Sequence, residues 1–311
     1  MELSIIILNY NGKHWLKDCL DSILKNTTNT NFEILLVDNA STDGSIEYVE
    51  KEFPSVKIIK NKTNVGFTRG NNIGIKEAVG EYICILNNDT IILSDAIENL
   101  LGFVKLHPLK VLAAGKLLGF DGKFQTNYTK YPEFLQEYLN FTIFKLKAPN
   151  FLIRKKACIS KENGKYIDKI CKVDVVTGTF FIIKREDMLK LGGFDENIFI
   201  FYEDADLCFR FRKNGGHIFY YPDAVIKHYM GGYYKSHKLD AIEKSYQSIL
   251  YYFRKHYGRG YCFLFDFAVK KTIFIMLFYL MAIPALISNE NSNYRRKIEE
   301  KIRMFHYILG I

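Results

Sequence analysis

A cluster of oxygen donors follows one apolar run of the chain. The run Tyr82–Leu86 (YICIL) is followed directly by Asn87-Asn88-Asp89, which offers two amides and one carboxylate. Hard oxygen ligands of this kind suit Mg²⁺ or Mn²⁺ bridging a diphosphate. His228, which follows the strand-like run Ala224–Lys227, is a candidate third metal ligand. An Asx turn at residues 87–89 and a purely structural His228 are the plainer interpretations, and both stay open.

A second cluster places three carboxylates within four residues. Glu203, Asp204 and Asp206 stand at the predicted start of a helix, where acidic side chains are ordinarily partners of the helix dipole. The aromatic residues of the preceding segment, FIFY, favour a chemical role. Partial removal of water raises the basicity of a carboxylate, as a general base requires.

Three loops rich in Asn or Gly also lie where strands are predicted to end. They are Asn9-Tyr10-Asn11-Gly12, Val37-Asp38-Asn39-Ala40-Ser41 and the segment NVGFTRGNN at 64–72. Asp38 could accept hydrogen bonds from a base or ribose, and Arg69 with nearby backbone N–H groups could bind a diphosphate. Ordinary turns and helix caps are the alternatives for the first two loops. The segment 64–72 does not fit the Gly-rich patterns of dinucleotide-binding or P-loop proteins, so those classes lose support.

The order of apolar runs predicts an α/β fold. Runs of strand length, such as Leu3–Leu8 and Tyr82–Leu86, alternate with segments of helical periodicity. This alternation indicates a mainly parallel sheet with helices on both faces, whose ligands bind beyond the carboxyl ends of the strands. Further along, we predict one continuous strand over Val173–Ile183 and a helix from about Asp204 to Lys213. The periodicity is lost between residues 120 and 172, which predicts a long connection or a small insertion.

Composition restricts the function classes. With 311 residues, 48% of them hydrophobic and 25% charged, the chain is globular in type and excludes collagen-like and largely disordered classes. A net charge of +9 suits an anionic partner. Nucleic acid is not expected, because there is no basic stripe or helix-turn-helix pattern. The six scattered cysteines predict reduced thiols, and no signal peptide is expected.

The C-terminal part has a different character. Thr272–Ser288 is apolar and uncharged, with Lys270-Lys271 before it and Arg295-Arg296-Lys297 beyond it. Its apolar residues, about 16, fall short of the roughly 20 that span a bilayer. Two interpretations stay open: a helix lying in an anionic membrane interface, or a buried core helix. We predict two domains, residues 1–230 and a mostly helical region over residues 231–311.

The succession of these motifs resembles a known family. In order, they are ILNYN, VDNASTDGS, NVGFTRGNNIG, YICILNNDT, VTGTFF, LGGFDENIFIFYEDADLCFR and VIKH. Together they are similar to the family 2 glycosyltransferases of the GT-A fold over roughly residues 1–230. The GGFDE and EDADLC blocks, followed by a strand and His228, resemble the rhamnosyltransferase-like branch most. The resemblance implies a Rossmann-like GT-A domain with a helical C-terminal appendage.

The resemblance also assigns roles to individual residues. Asp204 matches the family's catalytic base, with Glu203 and Asp206 in support. Gly178 and Thr179 match a stretch near the acceptor. Asp38 resembles the carboxylate that holds the nucleobase. The residues implied in nucleotide-sugar binding are Asn9, Tyr10, Asp38, Asn39, Asn64, Gly66, Arg69, Asn71 and Asn88.

The implied cofactor is Mg²⁺ or Mn²⁺, held by Asp89 and His228. Asp89 matches the last acid of the family's D-x-D metal motif, whose first acid is Asn87 here, so the site loses one charge. The implied activity is inverting transfer from a nucleotide-diphosphate sugar to a glycan or lipid-linked acceptor in surface polysaccharide or cell-envelope synthesis. A non-catalytic nucleotide-sugar-binding protein is the alternative. The implied location is cytoplasmic, with peripheral attachment to the inner face of the cell membrane.

Overall fold

Apolar runs in the first half of the chain form the centre of one sheet. The computed structural model describes residues 1–142, 161–162, 165–166, 168–229 and 237–282. Its strands are β1 (Leu3–Asn9), β2 (Phe32–Asp38), β3 (Lys57–Lys60), β4 (Tyr82–Asn87), β5 (Thr90–Ile92), β6 (Val111–Leu118), β7 (Phe124–Gln125), β8 (Tyr128–Thr129), β9 (Lys161–Glu162), β10 (Lys165–Tyr166), β11 (Cys171–Lys172), β12 (Val175–Val176), β13 (Phe180–Lys184) and β14 (His217–His228). Its helices are α1 (Lys13–Asn26), α2 (Ser45–Glu52), α3 (Gly66–Glu77), α4 (Ala96–Leu106), α5 (Phe134–Thr142), α6 (Arg185–Lys190), α7 (Glu203–Lys213), α8 (Lys238–His256) and α9 (Arg259–Ala282).

The central sheet has the strand order β11-β14-β6-β13-β4-β1-β2-β3, with β5 also paired to β14 and β7 to β6. Strands β3, β2, β1 and β4 are parallel, as the alternation of strands and helices predicts. β13 runs antiparallel to both β4 and β6. β13 begins beside the end of β4, where Asn87 N–H donates to Thr179 O. It therefore runs back along β4 in the antiparallel direction. The predicted α/β class is confirmed, but the sheet is mixed beyond β4.

Helices cover both faces of this sheet, as strand β1 illustrates. Leu3, Ile5 and Ile7 belong to one buried cluster with apolar residues of α1. Ile6, between them, points to the opposite face and contacts α3 at Gly74, where a Cβ would lie 2.6 Å from Ile6 Cγ2. A strand buried on both faces needs a continuous apolar sequence, which is what the run LSIIIL provides.

The predicted continuous strand over Val173–Ile183 is wrong. The segment forms two strands, β12 and β13, separated by Thr177, Gly178 and Thr179. β12 pairs with β8, whereas β13 pairs with β4 and β6, so the chain has to break between them. The break leaves Gly178 and Thr179 beside the end of β4. The predicted helix from about Asp204 to Lys213 is confirmed as α7.

The chain divides into two compact units. One comprises Met1–Tyr131 with Lys156–Met230, and the other comprises Pro132–Lys155 with Gly231–Ile311. The predicted boundary at residue 230 therefore omits a segment of the second unit. Helix α5 belongs to that unit because Phe134 packs on Phe265 of α9, with ring centroids 5.4 Å apart.

The second unit is helical over its described residues, as predicted for residues 231–311. Phe253 of α8 also packs on Phe265, with ring centroids 4.9 Å apart. The predicted apolar run Thr272–Ser288 begins within α9, and its residues 283–288 lie outside the described part. Of the helices in the part of the chain that the structure describes, none combines the length and apolarity needed to cross a membrane.

Candidate active site

Asn9, the last residue of β1, joins three loops at one edge of the sheet. Its buried Nδ2 donates to Asp38 Oδ1 (3.0 Å) and to Ser41 Oγ (3.1 Å). Its Oδ1 accepts a hydrogen bond from Asn88 Nδ2 (2.8 Å), in the turn after β4. These contacts join residues 29 and 79 positions apart in sequence. The predicted meeting of strand-end loops is therefore present within the first unit.

Gly12 permits this close approach. A Cβ at residue 12 would overlap the Asn88 side-chain amide and would lie 2.6 Å from Asn9 Oδ1. Any larger residue would therefore displace Asn88 from Asn9. From the sequence, Gly12 is predicted only to be part of the loop that follows the first strand.

The Asp38 carboxylate is occupied by protein donors. Asp38 is 3% exposed, and besides Asn9 it accepts hydrogen bonds from Ser41 N (2.9 Å) and Ser41 Oγ (2.5 Å). These bonds hold the loop after β2 in place. The implied contact of Asp38 with a nucleobase stays a prediction.

The segment 64–72 is fastened to two other loops. Asn39 Nδ2, which is buried, donates to Asn64 Oδ1 (3.2 Å) and to Gly66 O (3.1 Å). Gly66 has φ +86° and lies against the Phe199 ring, so a side chain there would be strained and would clash. Phe67 N–H donates to Phe199 O (2.8 Å). Asn39, Asn64 and Gly66 thus form the contact between the β2 loop and the segment before Glu203.

The other residues predicted to bind the nucleotide-sugar differ in how exposed their side chains are. The Tyr10 side chain is exposed at the end of β1. The Arg69 side chain is also exposed, and its Nε lies 3.7 Å from Glu196 Oε2. Asn71 is buried, and its Nδ2 donates to Phe67 O (2.9 Å), which fixes the first turn of α3. Tyr10 and Arg69 can reach a ligand, whereas Asn71 acts on the helix itself.

Asp89 and His228 lie side by side, as two ligands of one metal ion would. His228 Nε2 is 3.4 Å from Asp89 Oδ1. The other ring nitrogen, Nδ1, is 2.9 Å from Gln125 Oε1, and Gln125 Nε2 donates to His228 O (2.8 Å). Because the amide group of Gln125 is oriented by that second bond, its Oε1 accepts the Nδ1 proton. In the neutral imidazole, Nε2 then carries the lone pair and faces Asp89.

This pair fits a divalent cation. A carboxylate oxygen and an imidazole lone pair that face each other attract a positive charge between them, and both are ligands of Mn²⁺ and Mg²⁺ sites. Gln125 is the outer hydrogen-bond partner that a metal-binding histidine usually has. Within the described residues, no group of three or more His, Cys, Asp or Glu could hold a metal.

Sequence reasoning missed two neighbours of this pair. Gln125 lies in the aperiodic stretch from residue 120, where no pattern marks it. Tyr229 follows His228 and its N–H donates to Asp89 O (3.1 Å). Its ring is 4.3 Å, centroid to centroid, from the ring of Trp15 near the start of α1.

Glu203 and Asp204 begin helix α7. The Asp204 carboxylate accepts a hydrogen bond from Ala205 N (2.7 Å), and the backbone of Gly178 favours its ionised form. Glu203 is buried, and its Oε2 has no hydrogen-bond partner. Asp206 is fully buried and pairs with Arg210 Nε (2.7 Å), so it stabilises α7.

Burial makes both carboxyls at the start of α7 weaker acids. It raises the pKa of Asp204 above the ordinary Asp range, against the hydrogen bonds from Ala205 and Gly178, which lower it. It raises the pKa of Glu203 further, and the adjacent Asp204 charge adds to the effect. Asp204 is therefore the one that ionises first, and its basicity exceeds that of an exposed aspartate.

The Asp89–His228 pair and Asp204 both lie near the segment Thr177–Thr179. The backbone of Gly178 lowers the pKa of Asp204, and Thr179 O accepts a hydrogen bond from Asn87 N (3.0 Å), two residues before Asp89. Asp89 and Asp204 thus flank the same break between β12 and β13.

Backbone strain is concentrated in the same loops. Among the described residues, five non-glycine residues have positive φ, and four of them lie here: Asn11 (51°), Ala40 (61°), Phe201 (68°) and Tyr202 (63°). Left-handed conformations of residues other than glycine cost free energy and are frequent at functional sites. The residue types do not predict this strain, because Phe and Tyr do not favour left-handed backbone conformations.

The comparison with known families agrees with these observations. Residues 4–162 match the family described as Glycosyl transferase family 2. The chain belongs to glycosyl transferase family 2. The resemblance expected from the order of the motifs is confirmed.

Two relatives show how far the likeness extends. The poly(ribitol-phosphate) beta-glucosyltransferase of Bacillus spizizenii is 34% identical over 128 residues, which are 40% of this chain and 20% of that protein. The matched part of this chain thus spans about a fifth of the length of the Bacillus protein. Rhamnosyltransferase WbbL of Escherichia coli is 26% identical over 236 residues, which are 72% of this chain and 82% of WbbL.

A solved structure shares the fold. The mannosyltransferase PcManGT of Pyrobaculum calidifontis, in complex with GDP-Man and Mn²⁺, has a TM-score of 0.58 and 15% sequence identity. The match covers 99% of this chain and 86% of that chain. The predicted GT-A fold is thereby confirmed for this member of the family.

Proposed function

We propose that this protein is an inverting glycosyltransferase. It would transfer a sugar from a nucleotide-diphosphate sugar to a glycan or lipid-linked acceptor in cell-envelope or surface polysaccharide synthesis. The observation that carries the proposal is the placement of the Asp89–His228 pair and Asp204 on two sides of the Gly178–Thr179 break. On one side of the break, Asp89 and His228 offer two metal ligands. On the other side, Asp204 offers a carboxylate of raised basicity.

The donor would lie across the strand ends. Tyr10 offers an exposed aromatic face for the base, beside the buried Asn9–Asp38 pair. Arg69 offers a guanidinium to the diphosphate. Asp89 and His228 would hold Mg²⁺ or Mn²⁺, which supplies positive charge against the negative charge that develops on the leaving diphosphate.

Asp204 would act as the general base. It takes the proton of the acceptor hydroxyl while the hydroxyl oxygen attacks the anomeric carbon. The bond from that carbon to the diphosphate oxygen breaks, and the nucleoside diphosphate leaves with the electron pair. One displacement inverts the configuration at the anomeric carbon. A moderately raised pKa suits this task, because a base works best when its pKa approaches the operating pH.

The names of the relatives suggest which substrates to test first. The Bacillus protein is named for glucosyl transfer to poly(ribitol-phosphate), and the Escherichia coli protein is named a rhamnosyltransferase. We therefore infer a polymeric or lipid-linked acceptor and favour a rhamnosyl donor. Such an acceptor agrees with a cytoplasmic protein at the inner face of the cell membrane.

A thermal-shift screen tests donor binding. The screen uses dTDP-rhamnose, UDP-glucose and GDP-mannose, each with and without Mn²⁺, because a ligand that binds only the native state raises the Tm. We expect one donor to raise the Tm more with Mn²⁺ than without it. No shift with any of a broad set of nucleotide sugars would contradict the proposal.

Donor hydrolysis separates an enzyme from a binding protein. The bound donor is incubated with the wild type and with Asp204→Asn, and release of the nucleoside diphosphate is measured. Release by the wild type that falls in Asp204→Asn supports catalysis. Binding without release, even when lipid-linked and polymeric acceptors are added, supports the non-catalytic alternative.

A further inference from the structure

Helix α9 has apolar side chains on two opposite faces. Phe265, Val269 and Ile273 are fully buried within the second unit. The opposite face carries large apolar side chains that are 45–67% exposed. We call them the exposed ridge: Phe263, Leu264, Phe267, Phe274 and Ile275.

The exposed ridge is continuous along the helix. Its members recur three, four or seven positions apart, which places them on one side of a helix. The rings of Phe263 and Phe267 stack along this side with centroids 6.3 Å apart. Single exposed apolar residues are common on protein surfaces, but a contiguous row of five indicates a contact surface.

The charges on α9 are distributed unevenly. Lys271 is exposed in the middle of the ridge, and Arg259 is exposed at the helix start. Asp266, the only acidic residue of the helix, accepts from Tyr246 Oη (2.8 Å) and pairs with Lys270 (3.1 Å). The exposed ridge therefore carries positive charge and no carboxylate.

We propose that the exposed ridge binds an anionic lipid surface. A helix that presents apolar side chains and flanking cations lies in the plane of a membrane interface, with its apolar face in the boundary between headgroups and acyl chains. Lys271 would extend its ammonium group to the lipid phosphates while its methylene stem stays among the apolar side chains. This surface overlaps the apolar run Thr272–Ser288 at Phe274 and Ile275, but it begins nine residues before that run, at Phe263.

Charge disfavours a second copy of the chain as the occupant. A symmetric contact between two ridges would bring like surfaces together, and the two Lys271 side chains would face the same basic patch. An anionic membrane instead supplies the opposite charge. The inference concerns membrane attachment and does not depend on the proposed transfer reaction, because vesicle binding is measured without substrates.

Vesicle sedimentation tests the proposal on the full chain. The wild type is mixed with vesicles of phosphatidylglycerol and phosphatidylcholine, or of phosphatidylcholine alone. We expect it to sediment with the anionic vesicles and much less with the neutral ones. The double variant Phe263→Ser/Phe267→Ser should partition into the anionic vesicles roughly 100-fold more weakly, about tenfold per ring. Lys271→Glu should remove most of the preference for anionic vesicles.

A matched control uses exposed leucines of the first unit. The double variant Leu106→Ser/Leu109→Ser removes two exposed leucines on and after α4 and should bind vesicles as the wild type does. An unchanged Tm in all variants shows that the fold is retained. Wild-type protein that ignores anionic vesicles, or ridge variants that bind them normally, would overturn the proposal. A wild-type dimer in vesicle-free solution that Phe263→Ser/Phe267→Ser dissociates would overturn it in favour of self-association.

Discussion

Asp38 and Asp204 lie at the same edge of the sheet, but they differ in burial and in the hydrogen bonds that they accept. Asp38 is buried and accepts three hydrogen bonds, from Asn9 and twice from Ser41. Asp204 is partly buried, receives only backbone donors and has beside it Glu203, whose Oε2 has no partner. The backbone before Asp204 is also strained at Phe201 and Tyr202.

This difference separates a carboxylate that holds a loop from one that is available for chemistry. Donors that surround a buried carboxylate stabilise its charge and its position, so its removal costs folding free energy. A carboxylate whose ionisation burial disfavours gains basicity at the expense of stability. The two aspartates should therefore respond to substitution in opposite ways.

The largest effect is expected for Asp204→Asn. Turnover should fall by roughly 10²–10⁴, the usual share of a general base, while the Tm stays the same or rises because a buried charge is removed. The measurement is initial transfer or donor-hydrolysis rate together with thermal unfolding. An active Asp204→Asn variant would remove Asp204 from the role of base.

Asp38→Ala should mainly change stability. It leaves Asn9 Nδ2 and the two Ser41 donors without their acceptor, which costs about 2–4 kcal/mol. The Tm should fall by several degrees, in contrast to Asp204→Asn. Thermal unfolding of both variants at one pH decides the comparison, and an Asp38→Ala variant as stable as the wild type would break it.

Gln125→Leu tests the Asp89–His228 pair, in which Gln125 orients the His228 ring and the ring faces Asp89. Without Oε1 to accept the Nδ1 proton, His228 is no longer held in the tautomer that presents its Nε2 lone pair. Mn²⁺ affinity should fall by roughly 10–100-fold, measured by the electron paramagnetic resonance signal of free Mn²⁺. Gln125→Glu keeps an acceptor and serves as the control. Equal Mn²⁺ affinity in Gln125→Leu and the wild type would exclude Gln125 as a positioning residue.

The smallest effect is expected for Glu203→Gln, in the pH dependence of stability. The pKa of Glu203 is raised on folding. The stabilisation that Glu203 contributes is therefore fully present below the ordinary Glu pKa, about 4.3, and is lost as the pH rises through the pKa of the folded state. The Tm of Glu203→Gln, relative to the Tm of the wild type, should therefore increase as the pH rises. Glu47→Gln, at an exposed position of α2, is the control. A constant Tm difference across the pH range would refute the shifted titration.

Much of the fold followed from pattern because the relevant strands are buried on both faces. The apolar runs Leu3–Leu8 and Tyr82–Leu86 became the parallel strands β1 and β4, and the residues that follow them lie close together, as parallel neighbours require. The same pattern failed over Val173–Ile183, where an unbroken apolar run spans two strands. Periodicity records burial but not the pairing partner, so it could not show that β12 joins β8 and β13 joins β4.

The candidate site was predictable in its residues but not in their bonding. Asp89 and His228 were expected together and lie together, because both follow strands that end at one edge. The direction of the Asn39 and Asn71 amides, which serve the backbone, depends on contacts with residues far away in sequence. Gln125 was missed for the same reason. For Thr272–Ser288, a helix in a membrane interface and a buried core helix were the alternatives. Over its described residues, α9 has both a buried side and an exposed apolar side.

Trp15 has a practical consequence. It is the single tryptophan among the 311 residues, and its ring lies against Tyr229, the residue after His228. Indole fluorescence responds to polarity and to neighbouring rings, and excitation that tyrosine does not absorb selects the emission of Trp15. Titration with Mn²⁺ or a nucleotide can be followed through that emission without attaching a dye, from a position beside the residue that follows His228.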